Sequence, residues 1–198
     1  MELFLIDYNL SDITRSIIMA CGSGDTCHTA LAEASGVEPE ICSVYPIGNS
    51  IERKFHKALA YIGDTHMMHS TRSTSTLIDN IGYAQPDIVH INNAHMDFFN
   101  LPLLADALIK MQIPTVITLS PDFPVMNHHP AIIKRNNYNR RLFNAMFSMW
   151  DLLFVVAPNE SVAKTASNTF FDATPIYVIE QTDIQSMSSK YSMLFHNI

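Results

Sequence analysis

Cysteine, charge and long apolar runs are all scarce in this chain of 198 residues. The three cysteines are odd in number and have no CxxC spacing, which argues against a disulfide framework or a zinc site and favours a reducing compartment. No apolar run reaches the length of a transmembrane helix, and the N-terminal MELFLIDYNL is too short and too acidic for a signal peptide. We therefore expect a cytoplasmic protein without a transmembrane segment.

Basic residues are also few, with 12 Lys and Arg against 19 Asp and Glu and a formal net charge of −7. Nucleic-acid binding needs clustered Lys and Arg, and the one local cluster, Lys134-Arg135 with Arg140-Arg141, is typical of a solvated helix face. Charged residues amount to 16% and apolar residues to 47%, whereas about a quarter of an average domain is charged. The composition therefore argues against a nucleic-acid partner and leaves room for a homo-oligomer or another partner that covers apolar surface.

The metal and phosphate motifs of the chain are incomplete. His66 and His69 are spaced like a metal pair, but no carboxylate or third ligand accompanies them at a typical spacing. Gly22-Ser23-Gly24 lies between a predicted strand and a predicted helix, where backbone N–H groups can bind a phosphate. The turn has no third glycine and no Walker lysine, and a tight turn with Asp25 as helix N-cap is the alternative interpretation. We expect neither a metal ion nor a cofactor.

What the sequence does contain is a regular alternation of short apolar runs with segments of helical spacing. This alternation predicts an α/β fold, a Rossmann-like doubly wound and mostly parallel sheet of about six strands with helices on both faces. A helix over Ser11–Met19 is an alternative to the second strand. The predicted strands are Glu2–Tyr8, Ile13–Cys21, Glu40–Tyr45, Asp87–Ile91, Thr115–Leu119, Leu152–Val156 and Pro175–Ile179. The predicted helices are Thr26–Ala34, Ser50–Ile62, Thr71–Tyr83, Phe98–Met111, Asn139–Met149 and one from Ser161 to about Phe170.

The segment from Pro86 to His129 predicts a βαβ unit with a polar turn after each strand. Because parallel sheets bind ligands at the carboxyl ends of their strands, a site is expected at residues 90–95 and 120–129. His90 would lie at the end of the first strand and face the sheet, which favours a structural histidine with its hydrogen bonds satisfied.

Specific residues within and around this unit resemble a known family. DTHMMHSTRSTSTLI (64–78), PDIVHINNAHM (86–96), DFFNLPLL (97–104) and IPTVITLSPDFPVMNHH (113–129) are similar to DRHGFGSKRATKKLI, PDIIHLHNIHG, YYLNLPLLF and IPVVWTLHDCWPFTGHC. The latter segments are typical of the N-terminal domain of family 4 glycosyltransferases of the GT-B fold, in the subgroup associated with colanic-acid and other exopolysaccharide synthesis. VVAPNESV (155–162) and IYVIEQTDI (176–184) resemble later segments of that domain more loosely.

The resemblance implies a glycosyltransferase domain that holds the acceptor, with the nucleotide-sugar donor bound by a second domain. His95 is the strongest candidate, since it could orient an acceptor hydroxyl or a donor phosphate; the alternative is that His95 only caps a helix from Asp97. The catalytic positions implied are His95, Asn92 and Ser120, and the substrate-binding positions are Gly22, Ser23, Gly24, Asn93, Asp122 and His128.

The chain departs from the family at the positions that carry its chemistry. Asn92 replaces a second histidine, Ser120-Pro121 replaces a His-Asp pair, and Met96 replaces a glycine. Asparagine cannot act as a general acid or base near neutral pH. Two hypotheses follow: the acceptor-binding half of a glycosyltransferase, or a non-catalytic relative that binds a protein or a glycan.

The domain prediction assigns residues 1–184 to the GT-B N-terminal-like domain and residues 185–198 to a tail or the start of a linker to an absent second domain. The expected partners are a nucleotide-sugar donor, bound through a second domain or a complementary subunit, and a glycan or lipid-linked sugar acceptor. The chain alone is expected to be inactive. A cytoplasmic location is expected, with peripheral attachment to the inner face of the membrane left open.

Overall fold

The computed structural model of the protein describes residues 2–10, 13–21, 51, 55, 71–91, 100–119, 121, 147–168, 171–180 and 183–198. The strands in these residues are β1 (Glu2–Leu10), β2 (Ile13–Cys21), β3 (Ile88–Ile91), β4 (Thr115–Thr118), β5 (Leu153–Ala157) and β6 (Ile176–Val178). The helices are α1 (Thr71–Ala84), α2 (Leu101–Met111), α3 (Glu160–Ser167) and α4 (Ile184–Asn197).

The strands lie side by side in chain order. β1 and β2 form an antiparallel pair. The strands from β2 to β6 are parallel to their neighbours. Ile91 pairs with Ile117, and Thr118 with Val156, so the strand ends are nearly level. The prediction of an α/β fold with a parallel sheet is therefore confirmed, and the predicted βαβ unit is present as β3, α2 and β4.

Most strand predictions agree with these bounds, because the fully buried strands are continuous apolar runs with β-branched residues. The alternative of a helix over Ser11–Met19 is wrong, since Ile13–Cys21 is a strand. The predicted helix Thr26–Ala34 and strand Glu40–Tyr45 lie outside the described residues, as do most of Ser50–Ile62 and of Asn139–Met149.

Helix α2 begins three residues later than predicted, at Leu101 instead of Phe98. Asn100 is its N-cap: the backbone there is extended, and the Asn100 side-chain oxygen accepts a hydrogen bond from the Leu103 N–H at 3.1 Å. Pro102, which has no N–H to leave unpaired, occupies the first turn. The alternative role of His95, as the cap of a helix from Asp97, lies outside the described residues.

Helices α1 and α2 each end at a glutamine in the left-handed conformation. In α2 the Gln112 N–H donates to Ile109 and the Ile113 N–H to Leu108, which is the hydrogen-bond pattern of a Schellman motif. Gln112 has φ 55°, a conformation that favours glycine. Gln85 ends α1 with φ 47°, and its N–H donates to the Ile81 oxygen at 2.9 Å; the proline at 86 has no N–H for a second bond. A proline follows each of these helix ends, at position 86 before β3 and at position 114 before β4.

Replacing Gln112 with glycine is expected to raise the free energy of unfolding by about 0.5–1 kcal/mol, because glycine adopts the left-handed conformation without steric cost. The Gln112 side chain is exposed, so little packing is lost. Urea denaturation of the variant measures the change. The matched control is Gln112→Ala, which keeps a Cβ and should not gain stability; a gain as large as that of glycine would contradict the explanation.

One face of the sheet carries the main core. Helices α1, α2 and α3 contribute Leu77, Leu104 and Val162 to a cluster that includes alternate residues of β3, β4 and β5. Phe147 and Phe171 belong to the same cluster, with ring centroids 4.7 Å apart. The strand residues in the cluster are Val89, Ile91, Ile117, Leu153, Val155 and Ala157.

Helix α4 covers the opposite face of the sheet and corrects a prediction. Residues 185–198, expected to be a tail or the start of a linker, belong almost entirely to this 14-residue helix. Its buried residues are Met187, Tyr191, Leu194 and Phe195, at the spacings of one helical face. Asp183 caps the helix by accepting a hydrogen bond from the Ser186 N–H at 2.8 Å. Helices therefore pack on both faces of the described sheet.

Candidate functional site

The parallel strands end at one edge of the sheet, which we call the carboxyl edge. Cys21, Ile91, Thr118, Ala157 and Val178 are the last residues of β2 to β6 in turn. The segments that follow β2, β3 and β4 in the chain contain every site residue predicted from the sequence. The segments that carry the predicted site residues therefore begin at the carboxyl edge, which is where parallel α/β sheets bind ligands.

The predicted site residues themselves lie outside the described part of the chain. This holds for the catalytic candidates His95, Asn92 and Ser120. It holds equally for the substrate-binding candidates Gly22, Ser23, Gly24, Asn93, Asp122 and His128. Their roles stay predictions, and the structure contributes the strand ends that lead into them.

A row of polar side chains lies directly beneath this edge, on the face covered by α4. The His90 Nε2 atom is 2.8 Å from the Thr118 Oγ1 atom, which in turn is 2.9 Å from the Tyr191 hydroxyl oxygen. All three side chains are buried, with at most 1% of their surface exposed. We call this set the His90–Thr118–Tyr191 network.

Aromatic contacts surround the imidazole of the network. The centroid of the His90 ring lies 5.4 Å from that of Tyr191 and 6.0 Å from that of Phe195. The ring of Phe195 meets that of His90 edge-on at 72°, an arrangement that aromatic rings favour. His90 is fully buried and its Nε2 atom is hydrogen-bonded to Thr118, which supports its interpretation as a structural histidine. Burial also keeps its nitrogens out of reach of a substrate in solution.

Thr118 is the link between the two strands and the helix. A threonine hydroxyl can donate one hydrogen bond and accept two, so a single group can satisfy both His90 and Tyr191. Thr118 and Tyr191 were not predicted as site residues. The sequence does contain a signal for Tyr191, because Met187, Tyr191, Leu194 and Phe195 share one helical face.

A second polar contact holds the start of α2. The Asn100 N–H donates a hydrogen bond of 2.9 Å to the Thr74 Oγ1 atom on α1. Both residues are buried. This contact fixes the point at which the chain returns from segment 92–99, which contains Asn92, Asn93 and His95.

The turn after β5 is also explained by capping. Asn159 is the N-cap of α3 and accepts a hydrogen bond of 2.9 Å from the Val162 N–H. The similarity of VVAPNESV (155–162) to the family therefore coincides with a strand followed by a capped helix. This explanation requires no ligand at Asn159.

Within the described ranges, no group of three or more His, Cys, Asp or Glu residues could hold a metal ion. No helix among them is long and apolar enough to cross a membrane.

Comparison of the chain with protein-family models, with curated proteins and with solved structures finds no match. The functional interpretation therefore depends on the resemblance of short segments and on the geometry of the carboxyl edge.

Proposed function

We propose that the chain is the acceptor-side N-terminal domain of a family 4-like glycosyltransferase of the GT-B fold. In this proposal the sheet is a Rossmann-like, doubly wound sheet of about six strands. The domain takes part in the transfer of a sugar from a nucleotide-sugar donor to a glycan or lipid-linked acceptor in the cytoplasm, during polysaccharide biosynthesis. The donor is bound through a second domain or a complementary subunit.

The single observation that carries the proposal is the arrangement of β2, β3 and β4. These strands are adjacent and parallel, so the segments that begin at Gly22, Asn92 and Leu119 leave the same edge of the sheet. The segments after β3 and β4 are those in which the resemblance to the family is most specific. A site assembled from several such segments is typical of enzymes with a parallel α/β sheet.

The proposed roles follow from the chemistry of each residue type. The imidazole of His95 can exchange a proton near neutral pH or donate a hydrogen bond to a phosphate. Asn92, Asn93 and Ser120 can donate or accept hydrogen bonds with sugar hydroxyls but cannot act as a base. Asp122 and His128 supply further acceptors and donors. The backbone of Gly22-Ser23-Gly24 is suited to close approach by a substrate.

A reconstituted transfer assay tests the proposal. In the GT-B family that the chain resembles, the domain that binds the donor carries a Glu-x7-Glu motif. The chain is therefore combined with the product of a neighbouring reading frame that carries this motif, and radiolabelled UDP-hexoses and GDP-hexoses are offered with membrane-lipid acceptors. We expect label to enter the lipid fraction only when both proteins are present. His95→Ala is expected to lower the rate by about a hundredfold, within the range for loss of a general acid or base.

The control variant is His196→Ala, because His196 is an exposed histidine on α4 whose Nδ1 bonds within its own helix. It should transfer sugar at the wild-type rate. Absence of transfer with every donor in the presence of the complementary protein would contradict the proposal.

A second candidate function is a non-catalytic module that binds a protein or a glycan. Asn92 and Ser120, which stand where the family has histidines, favour it. The reconstituted transfer assay separates the two candidates, because a non-catalytic module transfers no sugar even with the complementary protein. Isothermal titration of the chain with UDP-hexoses and GDP-hexoses adds a one-sided test. Nucleotide-sugar binding at micromolar affinity would exclude the non-catalytic module.

A further inference from the structure

The His90–Thr118–Tyr191 network lies where it can act on the candidate site. His90 is the penultimate residue of β3, and Thr118 is the last residue of β4. Each therefore lies two residues before a catalytic candidate, Asn92 and Ser120 respectively. Two residues span at most about 7 Å of chain, so a shift of either strand end is transmitted to the segment that follows it.

The network also fixes the position of α4 along the sheet. Apolar side chains pack acceptably in many registers, whereas a buried hydroxyl is satisfied only where its partner lies. A slip of α4 by one turn would move Tyr191 by about 5.4 Å and break its 2.9 Å contact with Thr118. The hydrogen bonds therefore select one position of the helix on the strand ends.

We propose that Tyr191 is a positioning residue: its hydroxyl, through Thr118 and His90, holds the ends of β3 and β4 and thereby the segments that carry Asn92, His95 and Ser120. Helix α4 thus helps to position the segments of the candidate site. The relevance to sugar transfer rests on the proposed function, but the effect on the strand ends does not. Tyr191 touches no substrate in this arrangement.

Hydrogen–deuterium exchange of the full chain tests the positioning directly. Tyr191→Phe removes one hydroxyl and keeps the ring. We expect exchange in the two segments at the ends of β3 and β4, residues 89–91 and 117–119, to rise by about fivefold, the factor that corresponds to one ordinary hydrogen bond. Exchange in α1, which is not in the network, should change by less than twofold.

Two further variants complete the experiment. Thr118→Ser keeps the bridging hydroxyl and should leave the exchange of the two segments relative to α1 as in the wild type. Met193→Ala alters an exposed side chain of the same helix, 65% accessible, and should change nothing. Unchanged exchange in Tyr191→Phe, or an equal rise in α1 and in both segments, would overturn the proposal.

The transfer assay distinguishes this inference from the proposed function. Where the wild type transfers sugar, Tyr191→Phe should lower kcat by about fivefold and leave the KM for the acceptor within about twofold, as expected when a reacting group is misplaced. Where the wild type transfers no sugar, the proposed function fails and the exchange experiment still decides the positioning role.

Discussion

Replacing Phe195 with alanine is expected to lower the free energy of unfolding by about 3–5 kcal/mol, the usual cost of truncating a buried phenylalanine. The Phe195 side chain has no exposed surface, and its ring contacts those of His90 and Tyr191 at centroid distances of 6.0 and 5.9 Å. Domains of ordinary stability have about 5–15 kcal/mol in all. Urea denaturation followed by tryptophan fluorescence measures the loss, because Trp150 is the chain's one tryptophan.

Met193→Ala is the matched control, because Met193 lies on the same helix with 65% of its surface exposed. Its expected effect is below about 0.5 kcal/mol, as is usual for exposed positions. A difference of less than 1 kcal/mol between the two variants would contradict the packing of α4 on the sheet. It would favour instead the tail or linker predicted for residues 185–198.

Helix α4 was missed because its composition obscures its periodicity. Four of its 14 residues are serine, which competes with the helical backbone for hydrogen bonds and lowers helix propensity. The apolar residues Met187, Tyr191, Leu194 and Phe195 nevertheless occupy one face. Burial of these four residues stabilises a helix that propensity alone does not predict, which is the usual way in which packing overrides propensity.

The strands were easier to predict because their signal is local. A strand buried on both faces must be apolar at nearly every position, and Val155-Val156-Ala157 and Ile88-Val89 meet this condition without reference to the rest of the chain. His90 and Thr118 interrupt the pattern. Their hydrogen bond joins residues 28 apart in sequence, and no local pattern specifies such a contact.

Part of the resemblance to the glycosyltransferase family has a structural explanation. In NLPLL (100–104), Asn100 caps α2, Pro102 lies in its first turn and Leu104 is buried. The Ile-Pro pair at 113–114 follows the left-handed end of the same helix. The similarity at these residues is therefore explained by the structure of the βαβ unit. The proposed chemistry depends on other residues, the catalytic candidates Asn92, His95 and Ser120 above all, and these lie outside the described residues.

The second large effect is expected for Thr118→Val, which keeps the shape of the side chain and removes the hydroxyl that bridges β3, β4 and α4. His90 and Tyr191 each lose one buried hydrogen bond, of 2.8 and 2.9 Å respectively. Loss of a buried partner costs about 1–3 kcal/mol for each group, so the variant should lose about 2–6 kcal/mol of unfolding free energy by urea denaturation. The loss is larger than that expected for Tyr191→Phe, about 1 kcal/mol, because the tyrosine variant leaves the bond between Thr118 and His90 in place.

Thr115→Val is the matched control, since the same strand carries both threonines and both are buried. Thr115 lies on the opposite face and donates a single hydrogen bond of 3.1 Å to the backbone oxygen of Ile113, two residues away. The valine there adds a methyl group to the main core, so its expected cost is about 1 kcal/mol or less. Equal losses for the two variants would mean that Thr118 contributes only as a buried threonine. A loss at Thr118 that exceeds the loss at Thr115 by more than about 1 kcal/mol would show that its bridging position, rather than burial alone, secures α4 to the strand ends beneath the candidate site.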